Sequence, residues 1–186
     1  MPKKTYQLAS GQLALIQGDI TSSEVDALVN AANSGLRGGG GVDGAIHKAA
    51  GPELLRAGRR IVERDGPLAA GQAVITPGYN LSADWVIHTV GPVWHGGGQS
   101  EDDLLAAAYR NSMRLAEENG LTSLAFPAIS CGVFGFPVER AASIALKELR
   151  NGLERGSVQR IEMYVFSSSD FAVFEQAAER IIGGSG

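Results

Sequence analysis

Apolar residues fall into short runs bounded by glycine, serine and asparagine, and these runs alternate with longer stretches of helical period. Residues 4–8 and 12–17 alternate apolar with polar positions around Ser10 and Gly11, which predicts two strands joined at a turn. Val25, Ala27, Leu28 and Val29 read as a strand buried in a parallel sheet. Residues 71–77, 85–90, 121–129 and 159–166 add four more strands. Helical stretches follow at 42–50, at 51–65 with Pro52 in the first turn, at 138–153, and from about 171 to 182. A further helix starts at Ser100, with Asp103 three positions on as a capping arrangement and Gly120 closing it; Leu104, Leu105, Ala108, Ser112, Leu115 and Ala116 form its core face. Strands alternating with helices predict a three-layer α/β/α sandwich on a mixed, mainly parallel sheet, with the first two strands antiparallel. The pattern spans one domain, residues 1–182, with 183–186 as a flexible tail.

The chain is organised around residues 25–50. After the buried strand come Asn30 and Asn33, then four consecutive glycines at 38–41, then a helix. Glycines admit positive φ and let backbone amides approach a ligand. A helix N-terminus beyond them adds a positive dipole end, so this strand–loop–helix is built for an anion, most often phosphate. A second loop has the same logic: Ser130, Cys131, Gly132, Val133, Phe134 and Gly135 follow a strand and precede a helix, and residues 123–138 carry no charged side chain. Two amide-lined loops on neighbouring strands suit a diphosphate held without lysine or arginine. The plainer alternative is a pair of tight turns whose glycines serve packing.

Composition narrows the picture. With 44% apolar and 19% charged residues the chain is an ordinary globular one. Sixteen basic against twenty acidic residues give −4, which argues against a general nucleic-acid binder. No run is long and apolar enough to span a membrane, and the first residues lack the apolar stretch of a secretory signal. Cys131 is the only cysteine, so no intrachain disulfide forms and a reducing cytoplasm is the expected location. Arg56, Arg59, Arg60 and Arg64 alternate with Glu53, Glu63 and Asp65, the composition of a solvated helix face laced with ion pairs.

Several motif matches fail on context. Residues 39–44 match G-x-G-x-x-G, but seven residues separate the strand from the glycines, and the nearest acids downstream lie in a helix. Residues 128–132 resemble the nucleophile elbow of serine hydrolases, but Ala128 breaks the motif. Cys131 suits a buried apolar filler better than a nucleophile. His47, His88 and His95 form no compact zinc-binding cluster. His88 reads as a core or edge histidine, and His95 as a surface loop residue.

Chemistry remains at a few positions. Asn30 and Asn33 offer neutral donors and acceptors at the mouth of the first loop, where ribose hydroxyls could be read. Asp43 and His47, four apart, share one helical face. The helix dipole stabilises Asp43 as an anion, a good hydrogen-bond acceptor for a hydroxyl or a water. Asp19 follows the second strand, the place where open α/β sheets put ligand contacts, and Thr21 or Ser22 could cap a short turn there.

The segments NAAN and GGGGVDGAIHKAAG resemble the macrodomain family, in particular its MacroD-type ADP-ribosyl hydrolases, and the resemblance extends from Gly18 to Phe171. It implies binding of ADP-ribose, with adenine near Asp19, Ile20 and Phe171, and the adenine amino group on Asp19. The diphosphate would lie across Gly41, Val42, Ser130, Gly132 and Val133, and the terminal ribose near Asn33, Asp43 and Phe134. The implied reaction removes ADP-ribose from acidic side chains of mono-ADP-ribosylated proteins, or acetyl from O-acetyl-ADP-ribose. A water beside the α-phosphate would react, with Asp43 orienting water or ribose and His47 supporting the helix face. No cofactor or metal is implied. The chain departs from the family at Cys131, where threonine is usual, and at Phe136, where tyrosine is common. A reader module that binds ADP-ribose without cleaving it is the alternative; Asn33, Asp43 and the intact GVDGAIH favour the hydrolase.

Overall fold

The computed structural model describes residues 1–183. The alternating runs at the start become β1 (Lys3–Leu8) and β2 (Gly11–Gln17), paired antiparallel. The remaining strands are β3 (Ala27–Ala31), β4 (Ala73–Pro77), β5 (Trp85–Thr89), β6 (Ser123–Pro127) and β7 (Arg160–Val165). They form one seven-stranded sheet in the order β1-β2-β7-β6-β3-β5-β4. Every pairing is parallel except β1 with β2 and β4 with β5. The expected mixed, mainly parallel sheet is therefore present, with an antiparallel strand at each edge.

The helices are α1 (Gly41–Ala50), α2 (Pro52–Asp65), α3 (Glu101–Glu118), α4 (Val138–Glu154) and α5 (Ser168–Ile181). Strand alternation decides which layer each residue serves. Ala27 and Val29 of β3 and Ile87 of β5 join the main core with Leu105, Tyr109, Leu146, Leu149 and Phe174 from α3, α4 and α5. Leu28 and Val86 face the other way and pack on Ile46, Ala50 and Leu54 from α1 and α2. Each such large apolar side chain contributes about 1.5–3 kcal/mol when fully buried. The sheet is thus sandwiched between α1–α2 and α3–α5. No described helix is long and apolar enough to cross a membrane.

Two local expectations are corrected. Neither Thr21 nor Ser22 caps the turn at Ile20–Ser22: Asp19 does, its carboxylate accepting from the Thr21 amide at 2.9 Å and the Thr21 hydroxyl at 2.7 Å. Ser100 does not cap α3 through its side chain; it adopts φ +61°, and the neighbouring Glu101 turns back to the preceding loop. Beyond α5 the Gly183 amide donates to the Ala178 carbonyl at 3.1 Å, and the rest of the expected tail, 184–186, lies outside the described residues. On α2 the expected ion pairs include Arg56–Glu53 and Arg64–Asp65, exposed pairs that add little to stability.

Candidate active site

Strands β2, β7, β6, β3 and β5 run parallel, so their carboxyl ends, and the loops that follow them, share one edge of the sheet. The loop after β3 (residues 32–40) and the loop after β6 (residues 128–137) are neighbours, because β3 and β6 pair directly.

The first loop is anchored by one apolar side chain. Leu36, at φ +50°, is buried with Ala32, Leu68 and Val90, and α2 comes so close that a Cβ on Gly58 would lie 2.8 Å from the Leu36 carbonyl. Asn33 spans the loop: its amide donates to the Gly38 carbonyl at 2.8 Å and its oxygen accepts from the Arg37 amide at 3.0 Å. Gly41 opens α1 at φ +58° with open space where a Cβ would be. The first intrahelical bond runs from the Gly44 amide to the Gly40 carbonyl, leaving the amides of Gly41, Val42 and Asp43 as free donors at the helix start.

Asp43 is 7% exposed beneath this loop. Its Oδ1 accepts from the Asn30 amide at 2.8 Å and lies 3.4 Å from His47 Nε2. Its Oδ2 lies under Gly39, 3.5 Å from the point where a Cβ would sit. Asn30 is not at the mouth of the loop. It is fully buried on β3, and its amide also reaches His88 Nδ1 at 3.3 Å. His88 is the core histidine expected, and burial, with a smaller effect of His47, pushes it down to about 3, so it is neutral.

The second loop interlocks with the segment after β5. Ser130, at φ +66°, turns its hydroxyl to the Pro92 carbonyl at 2.8 Å rather than outward. A Cβ on Gly91 would lie 2.2 Å from that hydroxyl, so only glycine fits there. Phe136 is buried against Trp94, ring centroids 4.8 Å apart, and the Trp94 amide donates to the Phe134 carbonyl at 2.8 Å. The amides of Gly132, Val133 and Phe134 donate to no protein acceptor among the described residues, and Val133 is fully exposed at the tip. Burial, then the Asp170 charge, pushes the Cys131 thiol up to about 12, so it is no nucleophile near neutral pH. No histidine bonds Ser130 among the described residues, which leaves the nucleophile-elbow reading without a base.

Glu101 orders the segment next to this loop. It is 1% exposed and accepts from the amides of His95 at 2.9 Å, Gly97 at 2.8 Å and Gln99 at 2.5 Å. These bonds, the His95 amide first, hold its carboxyl at about 2 instead of the ordinary 4.5. A depressed carboxyl contributes stability that is complete above its ordinary value and is lost as pH falls through the folded one. Thermal melts of wild type should therefore lose stability between about pH 4.5 and 2 in a component that Glu101→Gln lacks. Identical acid slopes for the two proteins would contradict the assignment.

At the other end of the edge, Asp19 is exposed and Ile20 is buried under the turn. Phe171 lies in the first turn of α5, half-buried against the main core. Phe166, which the apolar pattern places at the end of the last strand, is 91% exposed immediately after β7 and has no signal in the sequence beyond its being aromatic. The parallel register sets Gln17 beside Val165, and the Gly18 amide donates to the Val165 carbonyl at 3.1 Å, so Phe166 follows at the level of Gly18, one residue before Asp19. Between Asn33 and Phe134 lies a cavity of about 480 Å³, walled also by Val90 and Pro92. Among the described residues no cluster of three or more His, Cys, Asp or Glu side chains could hold a metal ion.

An α/β/α sandwich with two amide-lined loops at the carboxyl edge of its sheet defines an anion-binding fold of the kind that takes phosphorylated ligands. The chain belongs to the Macro domain family, whose model matches residues 29–145. It is 48% identical over 168 residues to an O-acetyl-ADP-ribose deacetylase of Cronobacter sakazakii, covering 90% of this chain and 93% of that one. Its fold matches the Oceanobacillus iheyensis macrodomain with ADP at a TM-score of 0.94 and 39% identity, over 98% of both chains. A Trypanosoma brucei macrodomain in complex with ADP-ribose matches at 0.81 and 40% identity, over 89% of this chain and 68% of that one.

Proposed function

We propose that the protein is a hydrolase of ADP-ribose esters, deacetylating O-acetyl-ADP-ribose and releasing mono-ADP-ribose from acidic protein side chains in the cytoplasm. The observation that carries the reading is the linear order of the carboxyl edge. Asp19 and Phe166 follow β2 and β7, the second loop follows β6, the first loop and Asp43 follow β3, and the cavity beside Asn33 lies toward β5. That order matches a base, a diphosphate and a terminal ribose laid along one line. The likeness to a relative named as an O-acetyl-ADP-ribose deacetylase and to macrodomains solved with ADP and with ADP-ribose supports the same ligand.

The two loops supply free amides and a helix end where the diphosphate would lie. Asp43 Oδ2 faces the glycine loop and is free to accept from a ribose hydroxyl or a water. Water adds across the ester; the acid leaves as a carboxylate and the ribose regains its hydroxyl. The test is incubation with O-acetyl-ADP-ribose and, separately, with a glutamate-linked mono-ADP-ribosylated protein, following acetate and ADP-ribose release. Tight ADP-ribose binding with neither release would assign a reader module instead.

Phe166 and Phe171 divide the adenine end. Phe166→Ala should weaken ADP-ribose binding by about 1–3 kcal/mol, the usual loss when a base loses its stacking partner. Phe171→Ala should act more on stability, because that ring packs on the core. Calorimetry and melts on both variants check this, and the reverse pattern would move the adenine onto α5.

A further inference from the structure

The pairing of β3 with β5 sets Asn30 directly beside His88, and both side chains leave the sheet on the face that carries α1 and α2. Thr76 on the edge strand β4 lies two register positions from Val74, the partner of His88, and so on the same face. Three polar residues from three adjacent strands thus line up beneath Asp43, and all three are buried: Asn30 fully, His88 to 1% and Thr76 to 3% exposure. A buried polar row of this kind is costly unless its donors and acceptors match.

The hydrogens of this row can be placed in one way only, with Asn30 Oδ1 the acceptor left over. The Thr76 hydroxyl donates its single hydrogen to the Pro77 carbonyl at 3.1 Å, so at 3.0 Å from His88 Nε2 it must accept. Nε2 therefore carries the imidazole hydrogen. His88 is neutral in this dry setting, so Nδ1 is a bare lone pair, and it faces the Asn30 side chain at 3.3 Å. Only an amide nitrogen can serve it. The same nitrogen's second hydrogen goes to Asp43 Oδ1 at 2.8 Å. Turning the Asn30 amide over would set its carbonyl oxygen against both the Asp43 carboxylate and the Nδ1 lone pair. Asn30 Oδ1 itself has no partner among the described residues, so these two donated bonds alone decide the orientation.

We infer that Asn30, His88 and Thr76 are positioning residues, a buried hydrogen-bonded rail across β3, β5 and β4 that holds Asp43 by Oδ1 and leaves Oδ2 turned to the glycine loop. His47 meets Oδ1 from one helical turn on, at 3.4 Å, so both fixed contacts fall on the same oxygen. The second oxygen is the one kept for substrate. This rests on the proposed hydrolase function, and it gives His88, buried in the sheet and bonded to Asn30 and Thr76, a part in catalysis through Asp43 alone.

A double-mutant cycle tests it. Turnover of O-acetyl-ADP-ribose and calorimetric ADP-ribose affinity are measured for wild type, His88→Leu, His88→Asn, Thr76→Val, Asp43→Ala and the Asp43→Ala/His88→Leu pair. His88→Leu should lower kcat about tenfold or more, as expected of a misplaced group, with affinity within about threefold of wild type. His88→Asn should recover part of the loss, because its carbonyl oxygen can accept from Asn30 where Nδ1 did. Thr76→Val, which keeps the side-chain shape but leaves Nε2–H unpaired, should lower kcat in the same direction by a smaller factor. In the Asp43→Ala background His88→Leu should cost nothing further, since the group it positions is gone. Additive losses in the pair, or wild-type kcat in both His88→Leu and Thr76→Val, would overturn the rail and leave the hydrolase reading standing. A wild-type protein that binds ADP-ribose but turns nothing over would overturn both.

Discussion

Gly41→Glu should leave the fold standing and abolish measurable ADP-ribose binding. At φ +58° the new residue carries a backbone strain of about 1 kcal/mol, but its side chain enters open space and displaces no neighbour. The loss therefore comes from the site. The Gly41 amide is one of the donors at the head of α1, and a carboxylate grown from that residue sits against the same helix end and competes there with the diphosphate. A micromolar complex is worth about 8 kcal/mol, and removing about half of that takes the dissociation constant to the millimolar range. Gly41→Ala separates the two effects, because it shares the strain and lacks the charge. Calorimetry should find Gly41→Ala weakened modestly and Gly41→Glu silent, with melting temperatures within a few degrees of each other. Binding by Gly41→Glu at wild-type affinity would remove the diphosphate from the first loop.

The parts of the fold that were legible in the sequence are those set by local chemistry. The run of glycines before a helix, the apolar period of β3 and the uncharged second loop all follow from residues a few positions apart. The adjacency of those loops needed only the rule that parallel strands put their ligand contacts at one edge. What was not legible depends on partners far along the chain. Asn30 and His88 are separated by 58 residues, and alternation alone cannot say that a strand asparagine will find a strand histidine beside it. The same holds for β4, whose antiparallel pairing with β5 has no signature in either strand.

Two misreadings have a common cause, a local pattern overridden by a better offer. Ser100 and Asp103 have the spacing of a helix cap, yet the adjacent Glu101 can satisfy three loop amides at once, and the backbone turns to let it. A capping box is worth about 1 kcal/mol, less than three charge-assisted bonds to a buried carboxylate. The apolar pattern carries the last strand through Phe166. The strand stops one residue earlier, at Val165, and leaves a ring 91% exposed at the level of Gly18. An exposed aromatic at a ligand-bearing edge is the signal that the pattern concealed.

Asp43→Ala should divide binding from catalysis. ADP-ribose affinity should stay within about tenfold of wild type, because the free amides of both loops and the α1 dipole are untouched by the change. Turnover should fall further, on the order of 10²-fold or more, since Oδ2 is the one fixed acceptor aimed at the glycine loop and its work is orientation in the transition state. An interaction used only there lowers kcat without a matching loss of affinity. His47→Ala should be milder: its ring meets the oxygen already held by Asn30, so the rail still fixes the carboxylate. The removal of Asp43 also strips Asn30 of its acceptor, and a melt will register that as a loss of stability separate from the kinetic effect. The decisive measurement pairs calorimetric affinity with the initial rate of ester cleavage on each variant. Should Asp43→Ala cleave at the wild-type rate, the carboxylate is only a helix-end anion, and catalysis must rest on Asn33 and the substrate's own phosphate.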